Sequence, residues 1–289
     1  MQIEPEKQRL LDDIVARLSD VRGVRAVVLG GSYARGMQRP GSDLDIGIYY
    51  YETQPFDIAE IHAVAGAISA SGAAEVTDFY GWGAWVNGGG WIHTAHGKVD
   101  FIYRSIQQVI RTIDQAEQGI TGHDFFQQPA YGFFSTVYLA ETKVCVPLYD
   151  PLGIIAAMKE RVAVYPPLLK EKTVASMLWL AEFSLIHAES FARSGDPFTT
   201  PGTLARAAYC TTLALFALNE TFYMSDKTAL REMAAFALAP EQFGERLGAV
   251  LARPGETPEE LLRAVTALRG LWAEVVSLTG GKYSPAFRT

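Results

Sequence analysis

Cysteine is scarce in this chain of 289 residues, which contains only Cys145 and Cys210. Two cysteines supply neither a disulfide framework nor the ligand spacing of a zinc site. Both stand among apolar residues, which predicts reduced cysteines buried in the core.

A basic excess is also missing, because 25 Lys and Arg face 32 Asp and Glu and give a net charge of −7. Binding to nucleic acid needs Lys and Arg in excess for phosphate contacts, so we expect no nucleic-acid partner. The longest uncharged apolar stretch, residues 207–219, is too short to span a bilayer. The N-terminal sequence MQIEPEKQRLLDD has no apolar signal-peptide core. We therefore expect no membrane association and a cytoplasmic location.

Two common nucleotide-binding motifs are absent as well. Neither Gly-x₄-Gly-Lys-Ser/Thr nor Gly-x-Gly-x₂-Gly occurs at a strand–helix junction. This excludes a P-loop nucleotide site and a dinucleotide-binding fingerprint.

The informative stretch is residues 24–50, VRAVVLGGSYARGMQRPGSDLDIGIYY. Its first six residues are mostly apolar and predict a buried strand. Ser32 is predicted to cap a short helix after that strand. A turn-forming cluster then leads to a second predicted strand over residues 43–48. Side chains alternate faces along a strand, so Asp43 and Asp45 are expected on the same face.

This stretch combines features that suit a metal and a polyphosphate. Two adjacent carboxylates repel each other unless a cation lies between them, and Mg²⁺ prefers such oxygen ligands. Gly31 allows close approach of the backbone, Ser32 adds a hydroxyl, and Arg35 follows one turn later. The sequence thus predicts a phosphate-binding turn beside a metal-binding strand.

The segments Gly31-Ser32, Arg35-Gly36 and Ser42-Asp43-Leu44-Asp45 resemble the signature of the DNA polymerase β-like nucleotidyltransferase superfamily. Within it, they are most similar to bacterial enzymes that nucleotidylate small molecules, such as the kanamycin and lincosamide nucleotidyltransferases. The resemblance implies an α+β fold with an N-terminal mixed sheet, flanking helices and a C-terminal helical bundle. It also implies a third carboxylate on the neighbouring strand, for which Asp100 is the best match. The alternative for Asp100 is a solvent-facing position on an edge strand.

The resemblance also implies roles for individual residues. The carboxylates Asp43, Asp45 and Asp100 would be catalytic and would hold two Mg²⁺ ions. The nucleoside triphosphate (NTP) would be bound through its phosphates by Gly31, Ser32, Arg35 and Lys227. A solvated helix-cap lysine is the alternative for Lys227. The general base stays open between Asp100, Glu141 and Glu182.

The predicted organisation has two domains. The composition changes near residues 147–151, which divides the chain into a nucleotidyltransferase domain over 1–147 and a helical bundle over 148–289. A hairpin is predicted around residues 87–90, with a strand over 82–86. Trp82, Trp85 and Trp91 would either line an acceptor pocket or pack that hairpin.

The predicted function is transfer of a nucleoside monophosphate from Mg-NTP to a hydroxyl of an unidentified acceptor. The acceptor is expected to be a small molecule, with an antibiotic as the choice by analogy. Two alternatives share the same site: a catalytically inactive nucleotide-binding regulatory or antitoxin-like protein, and a protein-modifying nucleotidyltransferase. The oligomeric state is left between monomer and homodimer.

Overall fold

The structure is a computed structural model that describes residues 3–128 and 130–287. The chain divides into two compact units. The first unit contains the residues up to Asp114 together with His123–Val164. The second unit contains Gln115–Gly122 together with the residues from Tyr165 onward. The main division thus falls between Val164 and Tyr165, whereas the sequence predicted a boundary after residue 147.

The first unit is built on a mixed sheet of five strands. The strands of this unit are β1 (Val24–Leu29), β2 (Leu44–Tyr50), β3 (Gly89–Thr94), β4 (Gly97–Ser105), β5 (His123–Asp124), β6 (Phe133–Phe134) and β7 (Val146–Tyr149). The main sheet has the order β3-β4-β2-β1-β7, and β5 and β6 pair separately. Strands β2 and β4 run parallel, and the other neighbours in the main sheet are antiparallel.

The helices that begin in the first unit alternate with these strands along the chain. They are α1 (Pro5–Asp20), α2 (Gly31–Ala34), α3 (Ile58–Ile68), α4 (Ile106–Glu117), α5 (Thr136–Val144) and α6 (Ile154–Arg161). Pro5 opens α1, where its missing N–H costs no helical hydrogen bond. Asp57 caps α3 by accepting a hydrogen bond of 2.8 Å from the backbone N–H of Ala59.

One face of the main sheet forms the core of the first unit. Alternate residues of the central strands are fully buried there, including Leu44, Ile46 and Ile48 of β2. They belong to one cluster with apolar residues of α1 and α3, such as Leu11 and Ile61. Burial of these side chains drives the two helices onto this face. The side chains of Asp45 and Asp100, which alternate with these buried residues, are consequently left for the opposite face.

The second unit is helical, as the sequence predicted. It contains α7 (Pro167–Arg193), α8 (Thr199–Leu218), α9 (Asp226–Met233), α10 (Phe243–Ala252) and α11 (Pro258–Ser277). Helix α8 is buried along most of its circumference. A capping box of Thr257 and Glu260 starts α11, and Trp272 Nε1 donates a hydrogen bond of 3.1 Å to the Leu178 carbonyl. The predicted α+β architecture with a helical C-terminal part is confirmed.

No helix within the described ranges combines the length and the apolar character that crossing a bilayer requires.

The predicted hairpin around residues 87–90 is wrong. Strand β3 pairs instead with β4, so the hairpin turn lies between Thr94 and Gly97. The segment predicted as a strand over 82–86 forms turns with a single bridge from Gly83 to Asn87. The glycines explain the difference: a Cβ atom at Gly89 would lie 1.8 Å from the Phe101 carbonyl oxygen, so this segment packs closely against β4.

Candidate active site

The Gly-Gly-Ser turn after β1 lies directly against Asp45. The Gly30 N–H donates a hydrogen bond of 2.8 Å to the Asp45 carbonyl. Gly31 has a φ of +57°, and a Cβ atom there would lie 1.7 Å from Asp45 Oδ2. Only glycine combines this conformation with this approach. Helix α2 begins at Gly31 with Gly30 as its cap, so the prediction that Ser32 caps the helix is wrong.

The strand register brings Asp100 beside Asp45. Strands β2 and β4 are parallel, and Asp45 pairs with Asp100. Paired residues of neighbouring strands point to the same face, so both carboxylates leave the sheet on the side opposite the core. Asp43 precedes β2 by one residue. Because β4 lies between β3 and β2, the edge-strand alternative for Asp100 is wrong.

The electrostatic environment of Asp45 favours its neutral form. Burial, followed by the charges of Asp100, Asp43 and Glu141, raises the pKa of Asp45 to about 6. Lys98 lowers this pKa only in part. Negative charge on this face therefore exceeds the positive charge that the nearby side chains supply.

The ammonium group of Lys98 lies between Asp43 and Asp100. Its Nζ atom is 3.4 Å from Asp43 Oδ2, and 2.8 and 3.0 Å from the two carboxylate oxygens of Asp100. Burial alone would lower the pKa of Lys98, but the two carboxylates raise it above its usual value. Within residues 3–128 and 130–287, no group of three or more His, Cys, Asp or Glu side chains is arranged to hold a metal ion. The cation between these two carboxylates is the lysine.

The donor set nevertheless fits a divalent cation chemically. Three carboxylates on one face are the oxygen ligands that Mg²⁺ takes. Asp100 Oδ1 is buried and accepts no directed hydrogen bond within the described chain; its 2.8 Å contact with Lys98 is an ion pair only. The raised pKa of Asp45 also indicates that a further cation would be favourable here. Asp43, Asp45 and Asp100 are the residues that would hold it.

A second, partly buried charge pair lies on the same face of the sheet. Arg104, which is 6% exposed as a side chain, binds Glu141 of α5 through three hydrogen bonds of 2.8–3.0 Å. Burial opposes the charged form of Arg104, but Glu141 raises its pKa above the usual value. The carboxylate of Glu141 is thus occupied by a guanidinium group.

Glu182, the other glutamate considered as a base, lies in α7 of the second unit. Its carboxylate accepts hydrogen bonds from the Tyr283 hydroxyl at 2.6 Å and from the backbone N–H groups of Ala286 and Phe287 at 3.0 and 2.9 Å. These contacts attach the segment after α11 to helix α7. The arrangement gives Glu182 a structural task within its own unit.

Sequence reasoning missed Lys7, which supports the loop before Asp43. Lys7 is 5% exposed, and its Nζ donates to the Ser42 carbonyl at 2.7 Å and to the Tyr33 hydroxyl at 3.0 Å. The signal was in the spacing, because Lys7 continues the buried stripe of Leu11, Ile14 and Leu18 on α1. A lysine on the apolar face of a helix needs a buried partner.

The three tryptophans separate into two groups. Trp91 pairs with Asp100 across β3 and β4, is 63% exposed, and stacks on Trp82 with ring centroids 5.1 Å apart. Trp85 stacks instead on Phe133 with centroids 5.3 Å apart and contributes to packing. An exposed aromatic surface therefore adjoins the carboxylates, while Trp85 is structural.

The remaining predicted residues lie in different parts of the chain. Arg35 follows α2 as its C-terminal cap residue, next to the glycine turn. Lys227 is the second residue of α9 in the second unit, where its side chain is exposed. The first unit therefore holds Gly31, Ser32, Arg35 and the three aspartates together, and Lys227 belongs to the other unit.

Comparison with known proteins identifies part of this region. Residues 9–78 match the family model described as "Nucleotidyltransferase domain". This match supports nucleotidyl transfer as the general chemistry. It covers the glycine turn, Asp43 and Asp45, but not Asp100.

A search of solved structures gives a nucleotidyltransferase-like protein from Exiguobacterium sibiricum, with 6% identity and a TM-score of 0.46. The similarity covers 96% of this chain and 76% of that one. A search of curated proteins finds no match to the chain.

Proposed function

We propose that this chain transfers a nucleoside monophosphate from an NTP to a hydroxyl group of a small acceptor molecule. The observation that carries the proposal is the contact between the Gly31 backbone and the Asp45 carboxylate, with Asp100 in register beside it. The predicted phosphate-binding turn therefore lies beside the acidic strands. A polyphosphate with a bound metal ion needs both kinds of group close together.

The aspartates would bind the metal, and the glycine turn with Arg35 would bind the phosphates. Asp43, Asp45 and Asp100 would hold Mg²⁺, which, when bound, stabilises charge on the attacking and leaving oxygens. Gly31 and Ser32 would contact the β- and γ-phosphates through backbone N–H groups and the hydroxyl. Arg35 would add a charged contact to the same phosphates.

The acceptor would approach from the side of β3. Trp91 offers an exposed ring next to Asp100, and rings of this kind bind flat or carbon-rich surfaces of small molecules. Asp100 would also be the base for the acceptor hydroxyl, because it pairs with Trp91 on the side from which the acceptor would approach. The phosphate role of Lys227 remains a proposal, and Lys227→Ala tests it through the affinity for NTP.

The ion pairs of Lys98 favour a second candidate. A lysine between two of the three carboxylates also suits a protein that binds a nucleotide without turning it over. Such a regulatory protein would keep the glycine turn and Arg35 as its phosphate contacts.

A thermal-shift panel with ATP, GTP, CTP and UTP, each with and without Mg²⁺, tests the nucleotide site. A ligand at about 100 times its dissociation constant stabilises a protein by about 2.7 kcal/mol. We expect a shift that needs Mg²⁺ and is lost in Asp43→Asn but kept in Asp13→Asn, an exposed position on α1. Release of pyrophosphate in the presence of acceptor mixtures then separates the enzyme from the regulatory protein. A shift that ignores Mg²⁺ and survives in Asp43→Asn would contradict the assignment.

A further inference from the structure

The cation that partly neutralises the acidic face in this structure belongs to the protein itself. Lys98 Nζ lies within 3.4 Å of carboxylate oxygens from both Asp43 and Asp100. Lys98 and Asp100 are two residues apart on β4, so their side chains leave the sheet on the same face. The alternation of the strand therefore directs the ammonium toward the carboxylates.

The position of Lys98 is also defined from a third side. Its Nζ atom lies 5.9 Å from the ring centroid of Trp91, which pairs with Asp100 on the neighbouring strand. A cation within about 6 Å of an indole ring is attracted by its electrons. Two carboxylates and one indole thus hold the ammonium where a divalent ion would share the same oxygens.

We propose that Lys98 competes with a divalent cation for Asp43 and Asp100, so that the nucleotide-free protein binds metal weakly. The inference rests on the proposed function, since it assumes that these carboxylates are metal ligands. An ammonium and a divalent ion cannot both occupy the space between two carboxylates, because like charges this close repel strongly. Metal binding therefore requires the lysine side chain to move away from Asp43 and Asp100.

The consequence is a site that is only partly neutralised in the absence of substrate. Around Asp45 the negative charges of Asp100, Asp43 and Glu141 exceed the positive charge of Lys98. The carboxylates therefore still attract a divalent ion while Lys98 is in place. The phosphates of an incoming NTP are negatively charged and can bind the Lys98 ammonium after it leaves the carboxylates. Lys98 would thus couple metal loading to the arrival of the nucleotide.

Titration of the nucleotide-free protein with Mn²⁺, followed by the electron paramagnetic resonance signal of the free ion, tests the proposal. We expect Lys98→Met to bind Mn²⁺ about tenfold more tightly than the wild type, since a competing charge is removed. Lys98→Arg should resemble the wild type, and Arg17→Met should also do so, because it removes an exposed positive charge from α1. Asp100→Asn should bind more weakly than all of these.

The outcomes separate this inference from the proposed function. Binding that is unchanged or weaker in Lys98→Met, but weakened by Asp100→Asn, would overturn the role of Lys98 and leave the metal site standing. Absence of Mn²⁺ binding in every variant would overturn both. Circular dichroism verifies that the variants are folded.

A second measurement follows the response to metal on the wild-type chain and uses a variant only to assign one resonance. After reductive methylation with ¹³C, the dimethyl-lysine resonance of Lys98 is assigned by its absence in Lys98→Arg. We expect it to shift toward the position of solvent-exposed lysines when Mg²⁺ is added. A resonance that stays in place while Mg²⁺ binds would show that lysine and metal do not compete.

Discussion

A Cβ atom on Gly31 would lie 1.7 Å from Asp45 Oδ2 and 2.5 Å from Asp45 Cγ. The glycine turn and the acidic strand are therefore in direct contact, although 14 positions separate them in the sequence. Any side chain at position 31 must displace this carboxylate. The two residues act as one structural unit of the candidate site.

Gly31→Ala tests this contact. We expect it to destabilise the protein by more than about 2 kcal/mol in urea unfolding, because the clash adds to the cost of a left-handed backbone. Gly36→Ala is the matched control, since Gly36 has a φ of +64° and nothing within 4 Å of an added Cβ. It should cost only about 1 kcal/mol. Combining Gly31→Ala with Asp45→Ala should recover part of the loss, and equal costs for the two glycines would contradict the assignment.

Asp45→Asn should stabilise the metal-free protein at neutral pH. The pKa of Asp45 is raised to about 6 in the folded protein, against about 3.9 in an unfolded chain. The folded state therefore holds this proton more tightly, and the associated stability is lost as the pH rises from about 4 through 6. We expect a gain of about 1–3 kcal/mol at pH 7.5 that shrinks near pH 4.5, measured by urea unfolding in EDTA. A loss of stability at pH 7.5 would show that the charge of Asp45 is compensated.

Glu141→Gln should act mainly on stability. Arg104 would keep its charge in a buried position without the carboxylate, which costs about 3 kcal/mol. The double variant Arg104→Met/Glu141→Leu removes both charges and should be closer to the wild type than the single variant. Unfolding by urea measures both effects. If Glu141→Gln is fully stable but loses nucleotidyl transfer, Glu141 is the base rather than the partner of Arg104.

Lys7→Met should loosen the loop that leads to Asp43. The variant leaves the Ser42 carbonyl and the Tyr33 hydroxyl without their donor, at a cost of about 1–3 kcal/mol. Tyr33→Phe removes only the second contact and should cost less. Amide hydrogen exchange over residues 36–43 should accelerate in Lys7→Met and change less in Tyr33→Phe. Unchanged exchange in Lys7→Met would show that the loop is held by other contacts.

Much of the first unit could be predicted because its signals are local. The apolar run of β1 and the alternation of β2 each identify a strand without reference to the rest of the chain. The family resemblance implied a carboxylate on the strand next to β2, with Asp100 as the best match, and Asp100 does pair with Asp45 there. Local patterns are sufficient wherever one face of a strand is buried and the other is polar.

Other features depend on contacts that no local pattern contains. Strand β7 was not predicted, because its partner β1 is distant in the sequence. The pattern of tryptophans and glycines over 82–90 is typical of a hairpin, but in the structure Gly89 packs closely against β4. Lys98 was visible as a residue two positions before Asp100, but its ion pair with Asp43 depends on the pairing of β2 with β4.

The pairing of β1 with β7 has a consequence for the folding of the chain. Val27 pairs with Tyr149, about 120 residues later. During synthesis, β1 and β2 can pair early, but the other edge of β1 has no partner until residues 146–149 have left the ribosome. An apolar strand with an open edge is a template for aggregation. A fragment that ends at residue 145 would retain all three aspartates of the candidate site and still present that open edge permanently.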